Sequence, residues 1–440
     1  MKRLIISFLA AVLLIPITDT QAQTSGGNSP YSRYGFGLLS DEAQGFNKGM
    51  SGVALGFKGP ERLNFVNPAS YAAIDSITLL FDVGISLYNN HITEGNKSVN
   101  TLNSTLDYIS AGFRLRKNLG ISLGIRPLSL VSYDFYVSEK QDDFDGSGEY
   151  NKTSNYKGDG GLRNAWLGLG WNICRQLALG VNGGFTWGSY SHNSSITFSN
   201  TNIHSIARLY KANINSYTVD AGLQYTFNIN KKDEITLGAT YGLGHNISSS
   251  ATFISQRLNT SSVLGADTFR LKNAFEQPHK WGIGFAYCKD KKLTIGIDYT
   301  CQLWKGCRFP ELQDNTELQD NILYKSTDAF SNRHKIAAGV EYMPDPESYK
   351  VSDHICYRAG FSYANSYTKV NGNNGPDDYT VSAGVGIPLV NVFSNRSVLN
   401  IAVQWEHLTA SSSNTIKEDY IKLCLGLSFN ANWFNKWRIE

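Results

Sequence analysis

The chain has 440 residues, of which 18% are charged and 12% aromatic, with 41 glycines and a net charge of +3. Soluble domains carry roughly 25% charged residues, so this composition argues against an ordinary soluble enzyme. The small net charge excludes nucleic acid as a partner.

The N-terminus reads as an export signal. Lys2 and Arg3 precede an almost wholly apolar run from Leu4 to Ile17, and Thr20-Gln21-Ala22 offers a small residue at a cleavage point. Residues 1–22 are therefore expected to be removed. The apolar run is too short for a membrane-spanning helix, which needs about 20 residues. Residues 23–75 follow, rich in Gly, Ser and Asn and without sustained alternation. Their apolar members (Leu38, Leu39, Phe57, Leu63, Phe65) need burial. A plug folded within a barrel would bury them; the alternative is a disordered periplasmic arm.

From residue 76 onward the sequence alternates with period two, the signature of strands. Leu293, Ile295, Ile297, Tyr299 and Cys301 alternate with Thr294, Gly296, Asp298 and Thr300; Ile421, Leu423, Leu425, Leu427 and Phe429 alternate with Lys422, Cys424, Gly426 and Ser428. About fourteen such segments are predicted, at 76–90, 105–117, 119–137, 161–174, 176–192, 215–229, 234–248, 279–289, 292–304, 333–344, 354–369, 378–389, 397–409 and 418–430. Several exceed the nine to eleven residues that cross a bilayer. Short connections (116–118, 174–176, 230–233, 289–291, 345–347, 391–393) alternate with long ones (91–104, 138–160, 193–214, 249–278, 305–332, 370–377, 410–417). That is the pattern of periplasmic turns and outer loops, so the expected fold is an all-β transmembrane antiparallel barrel in the outer membrane. The barrel covers 76–430, and 431–440 form a periplasmic tail. Ile295, Ile297, Leu423, Leu425 and Phe429 are expected to face lipid; Asp298 and Lys422 are expected to face inward.

Several stretches resemble the FadL-type outer-membrane transporters of long-chain fatty acids and other hydrophobic compounds. They are the segment ending in Asn67-Pro68-Ala69 ahead of the first strand, Gln277-Pro278-His279-Lys280-Trp281-Gly282, Ile297-Asp298-Tyr299 followed by Trp304, and Tyr357-Arg358-Ala359-Gly360-Phe361-Ser362-Tyr363. The N-terminal Tyr31-Ser32-Arg33-Tyr34-Gly35 and the C-terminal Asn432-Trp433-Phe434 look like a divergent branch of that superfamily. The resemblance implies that 23–75 form a hatch with Asn67, Pro68 and Ala69 as its motif. It also implies passive uptake of a small hydrophobic ligand, fatty acids among them. The superfamily also includes a barrel that serves secretion, which implies the alternative of a scaffold for surface or secreted proteins.

Pro127 interrupts the third strand. Proline cannot donate to the ladder, so the strand must bulge or kink there. In the resembled family a kink in this strand opens the wall sideways, which would make Pro127 a lateral gate between lumen and membrane lipid; the alternative is a bulge that only sets barrel curvature. Leu128 and Leu130 are then expected inward beside it, as a bed for an apolar ligand. Charges at inward positions by parity include Asp82, Arg114, Arg126, Asp220, Asp298, Glu341, Arg358 and Glu406. Facing lipid, an Arg would cost about 2–4 kcal/mol. Mutual salt bridging is one reading; the sharper one is that Arg126 or Arg358 meets a ligand carboxylate.

No catalytic motif, cofactor signature or metal-ligand spacing is present. His245, His279, His334 and His407 fall at outer strand ends, where they read as polar rim residues more readily than as an enzyme's base. The six cysteines contain no C-x-x-C pair. Cys301 and Cys307 could bridge; the alternative is unpaired packing thiols.

Overall fold

A computed structural model of the chain describes residues 29–75, 78–142, 149–200, 202–259, 262–313, 322–370, 372–389, 397–410 and 416–432. The predicted signal peptide, the 391–393 turn and nearly all of the C-terminal tail lie outside the described residues.

The alternation becomes one closed wall of 14 antiparallel strands. In chain order they are β1 (Thr78–Glu94), β2 (Lys97–Arg116), β3 (Leu119–Asp142), β4 (Glu149–Asn172), β5 (Leu177–Phe198), β6 (Ser205–Asn228) and β7 (Asp233–Gly242). The other half comprises β8 (Lys280–Lys289), β9 (Leu293–Gln302), β10 (Arg333–Tyr342), β11 (Cys356–Ala364), β12 (Asp377–Pro388), β13 (Val398–Thr409) and β14 (Lys417–Asn432). Each strand pairs with its successor, and β14 returns to β1 from Asn432↔Thr78 to Lys417↔Thr93. Closure removes the edges that an open sheet would leave unsatisfied in lipid.

The facing follows the sequence parity. Ile297 and Leu423 are 52% and 40% exposed on the outer face, whereas Asp298 is 5% exposed inside. Lys422 also points inward, where its ammonium meets Glu406. Among the described residues no helix is long and apolar enough to cross a membrane.

Four predicted outer loops are largely strand among their described residues. β1 runs to Glu94, β2 begins at Lys97, and β3 to β6 climb as far as Asp142, Glu149, Phe198 and Ser205. Beyond the level of His91 and Asn100 both faces of a strand are wet, so these Asn-, Ser- and Thr-rich ends carry no apolar alternation to announce them. The outer half of β6 pairs with Ser250–Leu258, which pairs in turn with Val263–Lys272. The barrel is thus taller on one side than on the other.

Residues 29–75 lie against inward-facing wall positions on all sides. The contacts are close because the wall offers glycines there. A Cβ at Gly120 would stand 1.9 Å from the Tyr71 oxygen, one at Gly180 2.2 Å from the Pro68 carbonyl carbon, and one at Gly360 2.4 Å from that of Met50. The segment's apolar side chains fill small cores: Leu63, Phe65, Tyr71 and Ile74 with Tyr108 and Trp166, and Phe46, Met50, Val53 and Phe57 with Ala286 and Ala337.

The wall has one discontinuity. Pairing between β2 and β3 ends at Ile109↔Ile125. Above that point β2 continues on β1 alone as far as Glu94↔Lys97, and β3 continues on β4. Pro127 is two residues beyond the last pair. On its other side Pro127 opposes Arg163 and Ser129 opposes Leu162, so Leu128 is the extra residue of a bulge.

The bulge corrects one expectation. An extra residue in one strand exchanges its two faces. Val131 and Tyr133, which alternate with Ile121, Leu123 and Ile125 in the sequence, are buried inside at 0% and 3% exposure, while Leu123 faces out. Leu130 accordingly turns away from the inward position assigned to it.

The close backbone approaches make a testable distinction. Gly180→Val should push Pro68 off the wall, with an overpacking cost of about 1–3 kcal/mol. Proteolysis of 29–75 in the folded barrel should rise about tenfold or more, since about 1.4 kcal/mol is a tenfold population change. Gly183→Val, where a Cβ would meet nothing within 4 Å, should leave cleavage unchanged.

Candidate functional site

Above the packed part of the inner segment lies a cavity of about 240 Å³. Its apolar lining comes from Phe36, Leu39, Leu55, Leu128, Leu162, Ile214 and Trp304. Its charged lining includes Glu42, Arg126, Asp220, Lys280, Lys335 and Asp378. A second cavity, of about 180 Å³, lies at the discontinuity, with Thr105 and Asp107 of β2 on one side and Pro127 and Leu130 of β3 on the other. Residues 39–41 line both cavities and so stand between them.

That partition is held by backbone chemistry. Leu38 and Leu39 pair antiparallel with Leu130 and Ser129. Ser40 N donates to Leu128 O at 2.9 Å, and Ser29 N to Ser132 O at 3.0 Å. The edge that β3 loses from β2 is thus occupied by the chain's own N-terminal segment. Gly37 permits this approach: its φ is +92°, and a Cβ there would stand 2.3 Å from Leu130 O.

The same turn delivers Phe36 into an aromatic core that closes the outer half of the lumen. Its ring centroid lies 5.8 Å from Phe275, 5.7 Å from Trp304, 5.3 Å from Phe309 and 6.1 Å from Phe330. Tyr133, Tyr190, Tyr210 and Phe253 complete the cluster. Gly35 has φ +59°, and Tyr367 donates its hydroxyl to Gly37 O. The Tyr34-Gly35-Phe36-Gly37 motif is therefore two left-handed glycines flanking an anchor. Its role was not read from the sequence, although the paired glycines were the available signal.

Ion pairs from opposite walls hold the next residues. Glu42 bridges Lys280 on β8 and Arg126 on β3, the latter at 3.4 Å. Asp41 lies 3.5 Å from Lys48 and 3.7 Å from Lys335. Burial opposes the charged form of Glu42, but Lys280 and Arg126 override it and hold its carboxyl down to about 2.

The predicted site residues are only partly brought together. Arg126, Pro127 and Leu128 line the larger cavity, and Leu130 the smaller. The Arg126 guanidinium sits over Phe65 at 4.8 Å and Trp166 at 5.9 Å. Its Nη1 is buried without a hydrogen-bond partner among the described residues. Arg358 lies elsewhere: its Nε donates to Glu341 at 2.7 Å and its Nη1 to Asn400 at 2.7 Å, beneath the inner segment at Gly49. It is absent from both cavities because Glu341, which Arg62 also engages at 2.7 Å, takes up its charge.

Asn67, Pro68 and Ala69 start a 3₁₀ turn. The Asn67 side chain accepts from Ala69 N, and its amide donates to Leu55 O and Leu223 O, tying the turn to β6. The strand-end histidines stack on aromatic neighbours: His245 on Tyr217, His279 on Tyr241, His334 on Tyr299 and His407 on Trp405. All six cysteines are free, so Cys301 and Cys307 do not bridge.

A closed antiparallel barrel with an inner N-terminal segment is the fold of several solved structures, which this chain resembles. A Pseudomonas aeruginosa FadL homologue superposes with a TM-score of 0.59 at 12% identity, over 90% of this chain and 99% of its own. The CymD monoaromatic hydrocarbon channel gives 0.57 at 13% identity, over 90% and 99%. The P. putida toluene transporter TodX gives 0.57 at 13%, over 91% and 100%. Among curated proteins no sequence match is found. A family model matches residues 1–440, and the chain belongs to the BamG family.

Glu42 gives the site a checkable pH dependence. Glu42→Gln should leave Lys280 and Arg126 facing each other uncompensated and cost about 1–2 kcal/mol, between exposed and buried pairs. Because the folded value is depressed, the wild-type advantage should be full above pH ~4.5 and fall as the pH drops towards 2. Thermal midpoints of the two proteins should therefore differ at pH 7 and converge near pH 2.

Proposed function

We propose that the protein passes small hydrophobic molecules between the lumen and the membrane through the interruption at Pro127, with residues 37–42 as its closure. One observation carries this reading: the two cavities meet at the strand break and are separated by a segment held there by a short edge pairing and by ion pairs to the wall. Moving that segment would join them into a path from the lumen to the gap between β2 and β3. A solute leaving there would reach lipid sideways, without crossing the outer aromatic core.

The ligand class follows from the lining. Pockets for drug-sized ligands run about 300–1,000 Å³. A cavity of about 240 Å³ suits a single ring or short chain better than a long acyl chain. The apolar part would lie on Leu128, Leu162 and Ile214, and a carboxylate or carbonyl head would find the free Nη1 of Arg126. The solved structures described as channels for toluene and monoaromatic hydrocarbons lend this class support by fold alone.

A second reading keeps the barrel as a scaffold for other proteins in the outer membrane. The aromatic core around Phe36 favours it, because among the described residues that core fills the outer half of the lumen.

Vesicle flux of a small aromatic separates the two. Gly37→Ala should strain the turn and unseat Leu38 and Leu39, raising flux severalfold over wild type. Leu39 and Ser129 are directly opposed, at a spacing a disulfide can bridge. With the native cysteines replaced, an oxidised Leu39→Cys, Ser129→Cys pair should abolish flux, and reduction should restore it. Equal, background flux in all three would sink passage and leave the scaffold.

A further inference from the structure

The second edge of the gap is still open. From Leu102 to Tyr108, β2 is paired only on its β1 side. The opposing edge of β3 receives Leu38, Leu39, Ser40 and Ser29, but within the chain no backbone partner reaches Leu102–Tyr108 among the described residues. Leu102 is 82% exposed, against 52% for Ile297 and Val403 on fully paired strands.

The level of this edge matters. Leu102 lies opposite Asn89 and Tyr108 opposite Gly84. The outward polar belt at His91, Asp419 and His407 stands just above it, in register across three strands. The open edge therefore falls in the outer leaflet, over about 20 Å at strand rise. Lipid chains offer no hydrogen bonds, so unpaired amides and carbonyls there demand another backbone.

We propose that this edge receives an extended segment of a second polypeptide by strand addition. The inference rests on the scaffold reading and names its contact. The added strand takes the place β3 holds lower down, where Ile109 pairs with Ile125, and so runs antiparallel to β2. Its side chains must match the two faces of β2. Leu102, Ser104 and Leu106 lie on one face and call for apolar residues towards lipid. Asn103, Thr105 and Asp107 lie on the other, where Thr105 and Asp107 line the smaller cavity and call for small or polar residues. Main-chain bonds supply the affinity and this alternation the selectivity.

The test places a photoreactive benzoylphenylalanine at 102, 104 or 106 of the full chain, in its own outer membrane. Ile283 and Ile336, on paired strands, serve as controls. Heat-modifiable migration on gels shows that each variant is folded. The expected result is protein cross-linking at least about tenfold above the controls, as strand addition buries these positions. The cross-linked residues should fall at alternate positions of one segment and move backward along it as the probe moves from 102 to 106. Cross-links to lipid alone, to residues 37–40 of the same chain, or scattered without register would overturn the proposal. Flux in vesicles is measured without any second polypeptide, so either reading can fail while the other stands.

Discussion

Everything in this molecule follows from one requirement: in lipid, each backbone amide and carbonyl must be bonded within protein. Closure of β14 onto β1 meets it around most of the wall. Pro127 breaks it locally, because the third strand loses a donor where the β2 ladder stops. The orphaned edge of β3 recruits the nearest extended chain with free backbone groups, the N-terminal segment at Leu38 and Leu39. The position of that segment sets the partition between the two cavities and brings Phe36 into the outer core.

Packing of the inner segment depends on what the wall leaves out. Inward glycines at Gly120, Gly180, Gly238 and Gly360 allow backbone to touch backbone, which side chains of any size would prevent. Polar groups are matched in the same way. Asp298 accepts from Ala54 N at 2.6 Å and Leu55 N at 2.8 Å, and Gln404 donates to Lys48 O at 2.8 Å. A lumen rich in charge is thereby consistent with a firmly seated segment, because Arg126, Lys280, Lys335 and Glu341 pair with it.

The residues between Gly37 and Glu42 differ from the rest of the segment. Few apolar side chains fix them, and their hold comes from edge pairing and from ion pairs to Arg126, Lys280 and Lys335. Contacts of this kind are weak individually when partly solvated. The portion best suited to move is thus the portion next to the gap.

Period two in the sequence was enough to determine the strands, their number, their order and which residues meet lipid. A one-residue error would turn every apolar side chain to the wrong face, so the pattern is strongly written. Pro127 was legible as a break for the same reason: proline has no amide to give. Three things were decided only by the tertiary structure. The bulge at Leu128 inverted the parity of Leu130, Val131 and Tyr133, because an extra residue leaves no mark in composition. The charges chose partners across the lumen, so Arg358 went to Glu341 while Arg126 kept a free nitrogen. The ends of β2 to β6 extended through polar sequence, where no lipid enforces alternation. Sequence determines what a residue must face when the solvent differs on the two sides of a strand. Where both sides are alike, or where partners come from distant strands, only the closed barrel decides.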